Sequence, residues 1–177
     1  MFWENVARRL TAVAIQLQHA EKQGINNIAK SAYYRSATVL ICTIVEGMVY
    51  QLVKENTTKQ SNIISSTEEL KKLHQIPNTV FNQDDIFISK RNHKNIHIDD
   101  KGVTFEKLNN FLKNKQIITP IEFRRLDYVR KERNKLHLQG LSIRDTGYTK
   151  KKFVMAAEPV DFLSNKLSKI IGSVRDI

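Results

Sequence analysis

The span from Asn27 to Glu55 contains no proline and a single glycine, and its apolar residues (Ala32, Val39, Ile44, Val45, Met48, Val49, Leu52, Val53) fall on more than one side of a helix. A helix apolar on several sides must be covered by several neighbours, so this segment predicts a central helix in a helical protein. The whole chain of 177 residues has 6 Gly and 3 Pro, too few turn formers for a sandwich, a barrel or a glycine-rich nucleotide fold. Apolar residues at 41% supply a core, and the length fits one domain, 1–177. Glu46 interrupts the apolar stretch from Ala37 to Val53, and a charge at mid-bilayer costs roughly 2.5 kcal/mol or more. The stretch therefore reads as a buried core helix of a cytoplasmic protein with no membrane partner. The N-terminus also lacks the basic-then-apolar layout of a signal peptide.

A first helix is predicted from Phe2 to Gln23, with Val6, Leu10, Val13, Leu17 and Ala20 on one stripe and Gly24 ending it. With the central helix it forms an antiparallel hairpin. Ser66-Thr67-Glu68-Glu69 reads as the cap of a short helix through His74, stopped by Pro77. Residues 78–103 read as an irregular, Asn- and Lys-rich stretch, so 57–103 form an excursion within the domain. Further helices are expected over Thr104–Asn114, from Thr119-Pro120 to Gln139, and from Pro159 to near Val174, with a basic loop through Lys152. The fold class is all-α, an antiparallel bundle of about five helices with an irregular insertion.

The net charge of +11 points to an anionic partner. It is concentrated: Arg124, Arg125, Arg130, Lys131, Arg133, Lys135, Arg144, Lys150, Lys151 and Lys152 face only Asp127, Glu132 and Asp145 in the same stretch. Such a run is either a solvated face or a phosphate-contacting, RNA-binding surface. One cysteine, Cys42, excludes a disulfide framework and a cysteine-rich zinc site, and no metal or other cofactor is expected. It falls in the apolar helix, where a thiol is inert.

Within the basic stretch, Arg130, Arg133, Asn134 and His137 fall together on the predicted helix, with Arg133 in line with the apolar Leu126, Val129 and Leu136. A histidine moves protons near neutral pH, and an arginine fork fits a phosphate and stabilises charge growing on it. An asparagine can orient either. The set suits RNA cleavage by 2′-hydroxyl attack; it also suits an arginine tied to a buried carboxylate beside a histidine capping the helix. Glu46 would be costly alone in its apolar helix, and an ion pair to Arg130 or Arg133 would satisfy both ends. Arg91, His93 and His97 repeat the composition in the excursion and read as a polar loop; His93 and His97 have no third metal ligand nearby.

The segment from Arg130 to His137 resembles the signature of the HEPN superfamily of RNases and RNA-binding domains: an arginine, commonly followed by a polar residue, then four to six residues and a histidine. Arg130 fits that spacing. Arg133-Asn134 matches the frequent Arg-Asn pair but stands one residue too close to His137, so both arginines are carried. The long helical hairpin with an acid in its second helix matches the layout, over most of the chain outside 57–103. The resemblance implies a bundle that forms a homodimer with motif helices facing across a basic cleft. It further implies metal-independent endoribonuclease activity, often in toxin–antitoxin or antiviral defence systems with an antitoxin or other regulatory protein as partner. Some members only bind RNA or partners, so a non-catalytic module stays open beside the enzyme.

Overall fold

The computed structural model describes residues 1–57, 63–76, 86–138 and 147–173, with backbone placement alone for 65, 67–76, 86–93, 136–138, 172 and 173. The described elements are α1 (Phe2–Ala20), α2 (Asn27–Asn56), β1 (Ile63–Ile76), β2 (Ile86–His97), α3 (Phe105–Asn114), α4 (Pro120–Leu138), α5 (Lys150–Ala157) and α6 (Pro159–Ser173). The protein is an all-α bundle, with six helices and a two-stranded insertion among the described residues. It divides into two compact units, one of Met1–Asn56 with Thr104–Ile177 and one of Thr57–Val103.

In the helical unit α2 packs against each of the other five helices. Ile41, Val45, Met48, Val49, Leu52 and Val53 lose nearly all contact with solvent. Each such side chain contributes about 1.5–3 kcal/mol, an upper range for burial measured from an extended chain. Two residues expected in this core differ: Ala32 is exposed and Val39 is 42% exposed, because the covered arc of α2 runs through Ala37, Ile41 and Val45 instead. Among the described residues α2 is the one helix long and apolar enough to cross a membrane, and 56% of that apolar window is buried in the bundle.

Local chemistry sets the helix ends. α1 stops at Ala20, short of the expected Gln23, and turns through Lys22 N–H to His19 O (3.3 Å) before Gly24 takes φ +80°. That left-handed backbone favours glycine. Asn26 Oδ1 accepts from Ala29 N–H at 2.8 Å to open α2, and Thr104 Oγ1 accepts from Lys107 N–H to open α3. At α4, Thr119 Oγ1 accepts from Glu122 N–H at 3.2 Å while Glu122 Oε2 accepts from Thr119 N–H at 2.7 Å, a reciprocal capping box with Pro120 at the first helical position. Lys166 of α6 reaches Glu122 at 3.3 Å and donates to Ile117 O at 2.9 Å, so the cap also anchors the last helix.

Two segments differ from the sequence expectation. The basic loop through Lys152 is the start of α5: Thr149 Oγ1 accepts from Lys152 N–H, and Ala156 is buried. Three lysines at a helix N-terminus oppose the helix dipole, which is why local pattern disfavoured this helix; packing of α5 on α2 overrides it. Among the described residues the excursion is a strand pair and not an irregular stretch, and Ser66–His74 is not helical. β1 and β2 form an antiparallel ladder from Ile63↔His97 to Ile76↔Ile86, with irregularities between Ile63 and Ser65 and between Lys72 and His74. A strand partner supplies every backbone bond that a local Ser-Thr-Glu-Glu cap would offer, and Phe87 and Ile88 suit strands. Arg91, His93 and His97, expected in a polar loop, stand on β2, with the backbones of His93 and His97 roughly 13 Å apart along the strand.

Replacing Thr119 with alanine removes half of the α4 box. Chemical denaturation is expected to show a loss of about 1 kcal/mol in unfolding free energy with an unchanged m-value. Met48→Ala, in the centre of α2, is expected to cost about 2–5 kcal/mol in the same assay.

Candidate functional site

Of the predicted site residues, Glu46 and Arg133 meet across the seam between α2 and α4. Arg133 donates from Nε to Glu46 Oε2 at 2.9 Å, joining the two helices; the side chains keep 36% and 29% of their exposure. The carboxylate that interrupts the apolar run is thus placed by the α2–α4 packing where an arginine can meet it. Arg130 is held differently: its Nε and Nη2 reach Asp127 Oδ1 at 2.9 and 2.8 Å, and its Nη1 lies 3.7 Å from Glu106 of α3. Its fork is filled by its own helix and a neighbour, whereas Arg133 meets its carboxylate through one edge and retains further donors.

Asn134 is exposed, one residue beyond Arg133. His137 lies on α4 one turn after Arg133, so the helix brings the two positions to one face; its side chain falls outside the described residues, as does Arg144 altogether. The basic surface is more balanced than the sequence implied. Lys131 pairs with Asp127 at 2.7 Å, Lys135 with Glu132 at 2.7 Å, Arg125 with Glu158 at 3.2 Å and Lys150 with Glu21 at 3.4 Å. With Arg130 and Arg133, six of the ten basic residues have carboxylate partners, several of them from other helices. Arg124 and Lys151 are exposed with no ion pair among the described residues, and Lys152 Nζ lies 5.3 Å over the Tyr148 ring.

Glu132 is a buried charge on α4 that sequence reasoning passed over. Its side chain is 4% exposed, and its charge is met by Lys135. The signal was present, since Glu132 stands three residues from Val129 and four from Leu136 and so flanks the apolar stripe. Cys42 donates weakly toward Val129 O at 4.0 Å, and burial, with Glu132 adding to it, pushes its thiol up to about 12, so it is no nucleophile at neutral pH. Burial and then Glu132 push the Tyr128 hydroxyl to about 12 as well. Among the described residues no group of three histidine, cysteine or acidic side chains could hold a metal ion.

No family model, curated protein or solved structure matches the chain.

The Asp127 carboxyl is pushed up by burial, but hydrogen bonds from Lys131 and Arg130 outweigh that and hold it below its usual 3.8. A depressed carboxyl stabilises the folded state above the unfolded value and loses that contribution as pH falls through the folded one. Asp127→Asn is therefore expected to lower the melting temperature at pH 7, with the gap to wild type closing as pH drops below about 3.8.

Proposed function

We propose that the chain is a metal-independent endoribonuclease of the HEPN type, acting as a homodimer. The Glu46–Arg133 ion pair carries this reading, because it fixes a partly exposed guanidinium beside the helix turn that bears His137. In the proposed reaction the RNA 2′-oxygen attacks the adjacent phosphorus and the bond to the 5′-oxygen breaks. This gives a cyclic 2′,3′-phosphate and a 5′-hydroxyl. His137 moves the proton between the two oxygens, Arg133 neutralises charge on the phosphoryl oxygens, and Asn134 supports them. Glu46 positions Arg133 and touches no substrate. Arg130 has the family's spacing to His137, yet Asp127 and Glu106 occupy its donors, so it serves as a scaffold for α4. Arg124 and Lys151 offer the backbone contacts that a strand of RNA needs, and the paired lysines can exchange a carboxylate for a phosphate. A toxin-like activity of this kind calls for an antitoxin or other regulatory protein in the same compartment, the cytoplasm.

The alternative, a non-catalytic RNA- or partner-binding module, is favoured by one observation: most of the basic segment is already neutralised by carboxylates.

Cleavage of mixed tRNA, rRNA and single-stranded RNA in excess EDTA separates the two. Wild type is expected to cut and His137→Ala to be inactive while still folding and binding RNA. Arg133→Ala is expected to lose about 10²–10³ in rate, with Arg130→Ala losing less. Glu46→Gln should reduce kcat with RNA affinity retained. Absence of cutting by wild type, with salt-sensitive RNA binding intact, would establish the binding module instead.

A further inference from the structure

A second site stands apart from the α2–α4 seam, where the end of α1, the start of α2 and the start of α5 meet. A cavity of about 550 Å³ opens there, well within the size range of small-molecule pockets. Its floor is made by Ser31 and Tyr34, both 2% exposed, and its walls carry Lys30, Lys150, Glu21 and the Tyr148 ring. The polar groups fall into two bonded sets. Tyr34 donates its hydroxyl to Glu21 Oε1, Lys150 Nζ approaches the same oxygen at 3.4 Å, and Ser31 Oγ accepts from Tyr148 N–H at 3.1 Å.

This lining is selective in its chemistry. Two ammonium groups on one cavity attract a doubly charged anion. A bare anion would also meet the Glu21 carboxylate, which repels it. A ligand with a phosphate at one end and hydroxyl groups at the other satisfies both, since a carboxylate accepts from hydroxyls as readily as it repels phosphate. We propose that this cavity binds a small phosphomonoester that also carries hydroxyl groups, with Lys30 and Lys150 on the phosphate and Glu21 on the hydroxyls. Two sources share that chemistry, a sugar phosphate and a mononucleotide, the second able to lay its base against Tyr148. In the free protein the Tyr34 hydrogen bond holds the Glu21 carboxyl below its usual range, and like any carboxylate at neutral pH it accepts from hydroxyls. The inference does not rest on the RNase reading: none of these residues belongs to the Glu46–Arg133–His137 set, and Lys150 alone is shared with the basic run from Arg124 to Lys152.

Isothermal titration calorimetry of the full chain with ribose 5-phosphate, AMP, inorganic phosphate and ribose tests it. Ribose 5-phosphate or AMP is expected to bind more tightly than inorganic phosphate or ribose, and binding should weaken with added salt. Tighter AMP binding assigns the mononucleotide, and equal or tighter ribose 5-phosphate binding assigns the sugar phosphate; either supports the site. Lys30→Ala and Lys150→Ala are each expected to weaken binding roughly tenfold with unchanged circular dichroism. Should either variant misfold, Lys30→Arg and Lys150→Arg are expected to keep the charge and retain binding. The proposal is overturned if neither phosphomonoester binds, if inorganic phosphate binds as tightly, or if binding survives loss of both lysines.

Discussion

The burial of α2 among five other helices is the constraint from which the remaining geometry follows. The covered arc of a helix packed against five neighbours leaves a polar side chain little water, yet α2 carries Ser31, Tyr34, Thr38, Cys42 and Glu46 at steps of three and four residues. They form one line along the helix, and each meets a partner on it. Thr38 donates back to Tyr34 O at 2.7 Å, Tyr34 reaches Glu21 at the end of α1, Ser31 accepts from the chain entering α5, and Glu46 takes Arg133 of α4. Unpaired, each group would cost on the order of 1–3 kcal/mol in a dry interior. Through Tyr34, Ser31 and Glu46 the polar line ties α2 to the end of α1, the entry to α5, and α4 at set positions along the helix. Both the arginine seam and the second cavity lie on this line, toward its opposite ends.

Much of this could be read from the sequence because the signals were local and agreed with the packing. Gly24 marked the turn between α1 and α2, Thr119-Pro120 marked the start of α4, and Glu46 inside an apolar helix announced a cationic partner. The failures share a cause. The Ser66–His74 cap and the lysines before Phe153 were judged on short-range chemistry, while a strand partner roughly twenty residues away and a packed helix face decided the outcome. Pairing between β1 and β2 is a non-local property that no window of a dozen residues contains. The hidden Glu132 is a different case, since helical periodicity placed it beside the apolar stripe and only its charge drew it into the solvated class.

Charge shows the same gap between composition and arrangement. The excess from Arg124 to Lys152 looks like an open phosphate surface when counted along the chain. In the fold, Glu21, Glu46, Glu106 and Glu158 come from four other places to meet it. Pairs between exposed groups contribute about 0–1 kcal/mol, so they do not hold the bundle together, and an arriving polyanion can replace the carboxylates at modest cost. What these pairs do accomplish is to set where each cation stands before any ligand arrives.

That distinction bears on the two arginines. A guanidinium fixed by two acids, as Arg130 is, has its donors committed and its role is to brace α3 and α4. One held through a single edge by a carboxylate on the most deeply buried helix, as Arg133 is, has its position dictated by the core while its remaining donors stay available. An orienting acid on a rigid element is what electrostatic stabilisation of a developing charge requires, because the cation then needs no rearrangement as the charge forms. The short spacing from Arg133 to His137 is compatible with this, since four residues along a helix return to the same face. Spacing measured in sequence is a proxy for a face and a turn, and on a regular helix such as α4 the face is the quantity that chemistry depends on.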